Sequence, residues 1–314
     1  MESRSKVLVI VLLAIFAVIT SSCRILNEQL LRKKVFGDRE CIKRLDLSNQ
    51  GIKTIQPEML KKFKVLNYLS LSSNNIDEVG KNSFLGLENL HTLYLSFNNI
   101  KKLDKDIFKP LKNLEKLYLF YNGIDVITQR TFAALKNLKV LDLFRNNIKK
   151  IEIGAFGGMI KLEELNLGRN KIQTLEKNMF TGLKKLKKLN LSENAIATIE
   201  RGAFNGLGSL KILTLRKNKI KSIDGGLFKG LEKLEKLYLC DNPIQRIGND
   251  AFEGLKNLEV LYIGSEGLQS IDKDALKKLK NLRLISVQIA NLDQQTKNML
   301  EGLKSPTVEV ELIE

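Results

Sequence analysis

The sequence has few of the side chains from which active sites and metal centres are built. Its 314 residues include one His, three Cys and no Trp. Nucleophilic, acid–base and metal-ligand chemistry draws heavily on His and Cys. The single histidine, His91, has no second His to act with, and no Gly-rich phosphate loop or nucleophile elbow is present. We therefore expect no enzyme activity, no metal site and no cofactor.

Proline and aromatic residues are also scarce, with four prolines and 6% aromatics. The low proline content argues against long irregular linkers. The chain is 43% hydrophobic and 28% charged, a composition typical of a folded protein. The net charge of +17 is compatible with anionic partners such as glycans, membrane surfaces or nucleic acid.

The N terminus predicts a targeting signal. Arg4 and Lys6 precede an almost unbroken aliphatic run over 7–19, and small polar residues follow at 20–22. This order is typical of a secretory signal peptide, which we place at residues 1–22. A membrane anchor is the alternative, but the run is shorter than the roughly 20 residues of a spanning helix. We expect no transmembrane segment, a secreted, extracellular protein and, outside the cell, no nucleic-acid partner.

A period of 24 residues organises the rest of the chain. The longest series is an Asn that ends each Leu-x-Leu-x-x-Asn run: Asn74, Asn98, Asn122, Asn146, Asn170, Asn194, Asn218 and Asn242. Phe recurs in the same way at Phe84, Phe108, Phe132, Phe156, Phe180, Phe204, Phe228 and Phe252. Extending both series predicts eleven repeats over residues 42–304, with degenerate repeats at the ends.

Such repeats must stack on one another to bury their apolar faces. The Leu-x-Leu alternation predicts one strand per repeat with its leucines inward, and identical strand directions give a parallel sheet. The Asn amide can donate and accept, so the Asn column is expected to bond backbone groups at the turn. The Phe column is expected to fill the core on the far side.

The spacing resembles the leucine-rich repeat family, as the segment Leu114-Glu-Lys-Leu117-Tyr-Leu119-Phe-Tyr-Asn122-Gly-Ile124 illustrates. The repeat length and the Phe resemble the extracellular animal subclass, including Toll-type ectodomains and secreted insect immune proteins. The resemblance implies an α/β solenoid: a curved horseshoe with a concave parallel β-sheet and a mostly irregular or 3-10 convex side. It also implies protein or glycan binding by the concave face, with a role in innate immunity. The chain lacks the cysteine-rich C-terminal cap and the coiled-coil extension of some relatives.

Both ends of the repeat array are expected to be capped. Residues 23–41 form the predicted N-terminal cap, in which Cys23 and Cys41 are candidates for a disulfide in an oxidising compartment. A lipidation signal at Cys23 is the alternative. Residues 305–314 are predicted as a C-terminal capping strand, one residue out of the repeat register, with Glu309 and Glu311 facing outward to discourage further pairing.

Aromatic side chains cluster at solvent-facing positions of the predicted sheet. Numbering each repeat from its first Leu, these are positions three, five, seven and eight, and they hold all six tyrosines. β-propensity explains the position-five tyrosines, but it does not explain the aromatics beyond the strands. We predict a ligand-binding surface made of Tyr68, Tyr94, Phe97, Lys116, Tyr118, Phe120, Tyr121, Asp142, Phe144 and Arg145. Self-association and tolerated exposure are the alternatives.

Two further residues on this face are candidates for covalent chemistry. Asn190 begins the sequon Asn190-Leu-Ser192, a glycosylation site unless its strand position leaves it unused. Cys240 has no expected partner, so we predict either an intermolecular disulfide, in a homo- or hetero-oligomer, or a shielded free thiol.

The basic residues suggest a second function. Most lie on flanks and turns, and stacking would align Lys53, Lys101, Lys149 and Lys221 along one edge, with Asp77 and Asp125 interrupting it. The alternative to a recognition protein is therefore an extracellular-matrix or adhesion component that binds anionic glycans through these flanks. An intracellular scaffold is a third interpretation, which a mature protein that begins at Cys23 and contains a Cys23–Cys41 bond would exclude.

Overall fold

A computed structural model describes residues 24–26, 39–303 and 308–313 of the protein. In chain order the strands are β1 (Arg24–Leu26), β2 (Arg44–Asp46), β3 (Ile52–Ile55), β4 (Tyr68–Ser70), β5 (Thr92–Tyr94), β6 (Lys116–Tyr118), β7 (Val126–Ile127), β8 (Val140–Asp142), β9 (Lys150–Ile151), β10 (Glu164–Asn166), β11 (Thr174–Leu175), β12 (Lys188–Asn190), β13 (Thr198–Ile199), β14 (Ile212–Thr214), β15 (Ser222–Ile223), β16 (Lys236–Tyr238), β17 (Arg246–Ile247), β18 (Val260–Tyr262), β19 (Ser270–Ile271), β20 (Leu284–Gln288) and β21 (Glu309–Ile313). One α-helix, α1, spans Gln294–Leu303, and a short 3-10 turn spans Arg39–Cys41.

Twelve strands form one parallel sheet in the order β2-β4-β5-β6-β8-β10-β12-β14-β16-β18-β20-β21. Neighbouring strands of the repeats pair at the sequence period, as Leu93 with Leu117 and Leu117 with Leu141 show. This constant register stacks equivalent positions of successive coils directly on one another. The predicted leucine-rich solenoid of about eleven turns, with its solvent-facing parallel sheet, is confirmed.

The core is a set of columns, each built from one repeat position. Leucines of the strands are buried, and the Phe column is buried with them. Neighbouring Phe rings are nearly parallel, as in the pairs Phe84–Phe108 and Phe180–Phe204, whose centroids are 6.1 and 6.3 Å apart. These distances lie within the favourable range for stacked aromatic rings. The prediction that this column is core is therefore confirmed.

The Asn column bonds the backbone at the end of each strand, as predicted. The Nδ2 amide of Asn98 donates to the carbonyls of Leu71 and Leu95, both at 3.0 Å. Its Oδ1 accepts the backbone N–H of Ile76 at 2.9 Å. Each Asn thus joins two successive coils, and it satisfies backbone groups that would otherwise be buried without partners.

The column ends in repeat ten, where Glu266 occupies the Asn position. There the buried Ser265 hydroxyl takes over part of the role, with contacts to the carbonyl oxygens of Asn242 at 2.5 Å and Ile244 at 3.0 Å. A hydroxyl has one donor, so it replaces the Asn amide only in part. The degeneracy of the outer repeat is thus accommodated by a neighbouring side chain.

The opposite side of the solenoid consists mostly of turns, with short strands that sequence analysis did not predict. Two-residue strands pair in parallel: β7 with β9, and β11 with β13. A third set has the order β15-β17-β19, with β17 in the middle. At the N-terminal end β1 pairs with β3. These short ladders satisfy backbone groups that a fully irregular convex side would leave to water.

The C-terminal end differs from the repeats in two ways. Helix α1 replaces the usual turns of the last coil, and the Asp293 carboxylate caps it by accepting the Thr296 N–H at 2.6 Å. Strand β21 then pairs with β20 with Leu284 opposite Glu309, one residue beyond the repeat offset. The Glu309 and Glu311 side chains are exposed on this last strand of the sheet, where charge discourages pairing with another chain.

Candidate ligand-binding surface

Seven rings on the solvent side of the sheet lie in one connected cluster, which we call the aromatic patch: Tyr68, Tyr94, Phe97, Tyr118, Phe120, Tyr121 and Phe144. Every member has a ring centroid within 6.4 Å of another member's centroid. The fixed register brings the rings together because their strands and turns are neighbours in space. The structure therefore joins all the aromatic residues of the predicted site.

Three tyrosines of the patch lie on strands. Tyr94 is opposite Tyr118 in the register, and their rings stack with centroids 4.4 Å apart and planes 8° apart. Tyr68 extends the row, with its centroid 5.5 Å from that of Tyr94. Burial raises the pKa of the Tyr118 hydroxyl, and the neighbouring Tyr94 adds to the rise. The row is thus packed and partly withdrawn from water.

The other rings follow the strands. Phe97 and Tyr121 occupy position eight, with centroids 4.5 Å apart, and Phe120 and Phe144 occupy position seven beside them. Phe97 is 46% exposed, whereas Phe120, Tyr121 and Phe144 are half-buried. The exposed apolar surface of the patch is therefore centred on Phe97, and the other rings support it.

Position eight has a left-handed backbone in each of the first nine repeats. Phe97 and Tyr121 both have a φ of 55°, and Arg145 has a φ of 52°. Asn and Gly adopt this conformation most readily, and a bulky side chain does so at a cost. The fold thus gives no backbone reason for aromatic residues here. Sequence analysis missed this constraint, although Asn49 at the same position of the first repeat is a signal for it.

Arginines cover the rings from neighbouring coils. The Arg44 guanidinium carbon lies 3.8 Å from the Tyr68 centroid, and that of Arg145 lies 4.4 Å from the Tyr121 centroid. Arg145 also donates from Nη1 to the Tyr121 hydroxyl at 2.9 Å. Arg169 lies 5.5 Å from the Phe144 centroid. The sequence-based prediction included only Arg145, although Arg44 lies one repeat before Tyr68, whereas Arg169 and Phe144 occupy different repeat positions.

The two remaining predicted residues differ in exposure. Lys116 is exposed on β6. Asp142 is half-buried, and its Oδ1 accepts the backbone N–H of Phe144 at 2.9 Å. Burial raises the pKa of the Asp142 carboxyl, while the hydrogen bonds from Phe144 and Asn166 oppose the rise. Asp142 therefore holds the turn that carries Phe144, in addition to lying beside Tyr118 in the sheet register.

One polar atom near the patch has no partner. The Ser96 hydroxyl, between Tyr94 and Phe97, is fully buried, and no hydrogen bond to it forms within the described part of the chain. Ser72 and Ser192, at the same position of other repeats, are partly exposed. The burial of Ser96 therefore follows from its aromatic surroundings. A buried unsatisfied hydroxyl destabilises a fold, and such groups are retained more readily at functional sites.

The candidate modification sites have distinct surroundings. Asn190 is half-buried at the end of β12, and its Nδ2, the atom a glycan would occupy, donates to Asn166 Oδ1 at 2.9 Å. Cys240 was expected to be exposed, but it is half-buried, with the backbone of Gly264 beside it on the next coil. Burial raises the pKa of the Cys240 thiol, which favours the unreactive thiol form.

Other predictions lie wholly or partly outside the described residues. These are the signal peptide 1–22, Cys23 with its proposed bond to Cys41, and most of the cap 23–41. His91, on the flank, is exposed, and its Nδ1 is 2.8 Å from the carbonyl oxygen of Asn89. In the described ranges, no helix is long and apolar enough to cross a membrane. The same ranges contain no cluster of three metal-ligating side chains.

Comparison with known proteins agrees with the repeat fold described above. The Leucine rich repeat family matches residues 41–100, 88–148, 136–196, 184–244 and 232–292, so most of the chain is covered. The protein therefore belongs to the leucine-rich repeat family. No match to a curated protein sequence was found.

Solved structures of other proteins share this fold. TLR13, in a complex with ssRNA13, is 27% identical over 86% of this chain with a TM-score of 0.73, and the chain spans 43% of the length of that TLR13 chain. FLRT2, the leucine-rich repeat component of an octameric complex with Latrophilin 3 and Unc5D, is 25% identical over 86% of this chain and 90% of its own, with a TM-score of 0.64. An internalin, inlF, from Listeria monocytogenes is 22% identical over 88% of this chain and 83% of its own, with a TM-score of 0.61, and shares the fold alone.

Proposed function

We propose that this is a secreted recognition protein of innate immunity, which binds an extracellular protein or glycan ligand through the aromatic patch. The observation that carries the proposal is the connected set of seven rings on the sheet face, with Phe97 46% exposed. Exposed apolar patches on soluble proteins commonly mark interaction sites, and Tyr and Arg are enriched in binding hot spots. The leucine-rich repeat scaffold supplies the rigid frame, and catalysis forms no part of the proposal.

The neighbouring structures support a binding role in a general way. TLR13 is found with RNA and FLRT2 with protein partners. Aromatic rings beside arginines also suit stacked bases, so RNA is a ligand class to be tested against the proposal. For a secreted chain we expect a protein or glycan instead. Secretion itself predicts that the mature protein, collected from culture medium, begins at Cys23.

The patch is tested by replacing Phe120, Tyr121 and Phe144 with Ser and comparing partner capture from extracellular fluid. A matched control replaces Tyr238 and Tyr262, a stacked pair on the same face whose centroids are 5.2 Å apart. We expect the patch variant to lose the partners that the wild type retains, and the control to keep them. Capture that survives in a folded patch variant would reject the proposal, and capture of RNA alone would replace its ligand class.

A second function, anionic-glycan binding by an extracellular-matrix or adhesion component, is favoured by one observation. Exposed lysines recur two residues before the first Leu of a repeat, and none forms an ion pair within residues 39–303: Lys64, Lys112, Lys136, Lys184, Lys256 and Lys280. By contrast, the charges at position two neutralise one another, as in Lys139–Glu115 and Lys187–Glu163, both 2.8 Å. Retention on heparin that falls steeply with salt would support this alternative.

A further inference from the structure

A shallow, open groove of about 470 Å3 lies at the edge of the sheet, where the second to fifth coils turn away from their strands. We call it the edge groove. Its lining comes from positions eight, nine and ten of four successive coils: Asn74, Asn75, Phe97, Asn98, Asn99, Tyr121, Asn122, Arg145, Asn146 and Asn147. The groove adjoins the aromatic patch and shares Phe97 and Tyr121 with it.

The floor of the edge groove has no free hydrogen-bonding groups on its side chains. It is formed by the Asn column, in which Asn74, Asn98 and Asn146 are buried. The amide of Asn146, for example, donates to the carbonyls of Leu119 and Leu143 at 3.0 Å and accepts the Ile124 N–H at 3.1 Å. Recognition of a ligand must therefore come from the two sides of the groove.

The two sides have different chemistry. One side presents the exposed Phe97 ring, while the Tyr121 ring lies between Phe97, with centroids 4.5 Å apart, and the Arg145 guanidinium, 4.4 Å from its centroid. The other side presents Asn75, Asn99 and Asn147, which are exposed. Their side-chain amides form no hydrogen bond with any part of the chain that the structure describes, whereas the floor amides are fully used. The groove thus pairs an apolar ring with available amides on three of its four coils, since Gly123 holds the equivalent position of the fourth repeat.

We propose that the edge groove binds a linear, uncharged saccharide chain. This inference rests on the proposed function, because it assigns one ligand class to the same face. A pyranose ring has a C–H face that packs on an aromatic ring, and hydroxyls at its rim that pair with amides, which both donate and accept. Side chains at one repeat position recur about every 4.8 Å, which is the scale of one sugar ring. A linear ligand can therefore place successive sugar rings against the amides of Asn75 and Asn99 on adjacent coils and that of Asn147 two coils further on.

The charges at the groove favour an uncharged saccharide over an anionic one. Arg145 is the single charged residue of the lining, and its guanidinium already contacts the Tyr121 ring and hydroxyl. The unpaired lysines that would suit a sulfated chain, such as Lys112 and Lys136, are not part of the lining. Their flank and the edge groove are thus separate surfaces that different probes can distinguish.

The test is calorimetric titration of the mature protein with four hexasaccharides. Three are uncharged, composed of β-1,4-linked N-acetylglucosamine, β-1,3-linked glucose and α-1,4-linked glucose, and the fourth is derived from heparin. The groove variant is Asn75→Ala with Asn99→Ala and Asn147→Ala, and the control is Asn249→Ala, an exposed asparagine outside the lining. Thermal unfolding of each variant checks that it is folded.

We expect at least one uncharged hexasaccharide to bind, and the groove variant to weaken it at least about tenfold, because up to three hydrogen bonds are lost. The control should bind within about twofold of the wild type, since it removes no contact. The inference is overturned if none of the uncharged chains binds at millimolar concentration, if binding is unchanged in the groove variant, or if only the heparin chain binds.

A double variant, Phe120→Ser with Phe144→Ser, separates this inference from the proposed function, because the third patch substitution, at Tyr121, also changes the groove lining. If a partner is captured through the aromatic patch while no uncharged saccharide binds, the edge-groove inference fails and the proposed function stands. If a saccharide binds in the edge groove while capture is indifferent to Phe120 and Phe144, the patch proposal fails instead. Neither residue belongs to the groove lining.

Discussion

The second to fifth repeats and the sixth to eighth repeats share one backbone but present opposite surfaces. In the later repeats the charges on the sheet face pair with each other, as Lys188 with Glu164 at 2.7 Å and Arg169 with Glu193 at 2.9 Å. In the earlier repeats position eight carries the rings of Phe97 and Tyr121, and Arg145 at that position lies on a ring with no acidic partner in the described ranges. The charges of the later repeats are thus paired within the protein, whereas Phe97 in the earlier repeats leaves apolar surface exposed.

The two regions have the same core positions and differ at their outward positions. Both regions keep the Leu, Phe and Asn columns, so the fold does not depend on which region is considered. Only the outward positions differ, and on repeat scaffolds function depends on such variable surfaces.

The largest loss of stability should come from the buried Phe column and should be equal in the two regions. Phe132→Ala and Phe204→Ala each remove a fully buried ring from the same column. We expect each to lower the free energy of unfolding by about 3–5 kcal/mol, because a cavity replaces the ring. Urea-induced unfolding measures both. A much smaller loss in one region would mean that the core is not uniform along the solenoid.

The next largest change in the free energy of unfolding should have opposite signs in the two regions. Ser96 and Ser192 share position seven, but the Ser96 hydroxyl is buried without a partner, and that of Ser192 donates to Asn190 Oδ1 at 2.7 Å. We expect Ser96→Ala to raise the free energy of unfolding by about 1 kcal/mol, and Ser192→Ala to lower it by about 0.5–1 kcal/mol. Thermal or urea unfolding of both variants gives the sign. Destabilisation by Ser96→Ala would show that its hydroxyl has a partner.

Two smaller losses of stability should differ in their salt dependence, because one substitution removes a ring contact and the other removes an ion pair. Arg145→Gln removes a guanidinium that lies on Tyr121, and Lys188→Gln removes one half of an exposed ion pair. We expect losses of about 0.5–1 kcal/mol and at most about 0.5 kcal/mol, respectively. At about 1 M salt the Lys188 loss should disappear, because exposed charges are screened, whereas most of the Arg145 loss should remain. Equal salt dependence would contradict this distinction.

The subtlest difference is in the pH response of two carboxyl groups. Burial raises the pKa of Asp142, whereas the hydrogen bond from Arg169 lowers the pKa of Glu193. A raised folded-state pKa favours the protonated form, so the contribution of Asp142 to stability is lost as the pH rises through that pKa. A lowered one favours the carboxylate, so the contribution of Glu193 is lost as the pH falls through it.

NMR titration of the side-chain carboxyl resonances checks both directions. Asp142 should titrate above the ordinary range of Asp, and Glu193 below that of Glu. Arg169→Gln should return Glu193 towards its ordinary pKa and leave Asp142 unchanged. A shift of Asp142 in that variant would mean that the two regions are electrostatically coupled.

Much of the fold was predictable because the repeat register is fixed by the sequence itself. Once the Leu and Asn columns were recognised, positions such as Tyr94 and Tyr118 had to be neighbours, so the aromatic patch followed from spacing alone. What the spacing could not reveal was backbone conformation and side-chain direction. The left-handed backbone of Phe97 and the contact of Arg169 with the Phe144 ring, which occupies a different repeat position, depend on those details.

The end of the array was harder to predict for a different reason. Helix α1 forms in the last coil, where the repeat pattern is weakest, and its signal is the local Asp293 cap rather than the period. The half-burial of Cys240 follows from its position seven, where most residues, such as Ser72, Phe120 and Phe144, are also half-buried. The ligand was harder still to predict, because the side chains of the aromatic patch do not specify which molecule binds them.

The central claim is that ligands bind at the aromatic patch rather than elsewhere on the sheet face. Hydroxyl-radical footprinting of the protein with its captured partner tests this within one molecule, because Tyr238 and Tyr262 form an equivalent stacked pair outside the patch. We predict that bound partner reduces oxidation of Phe97 and Tyr121 severalfold while Tyr238 and Tyr262 are unchanged. Protection of Tyr238 and Tyr262 with no protection of Phe97 and Tyr121 would contradict the account.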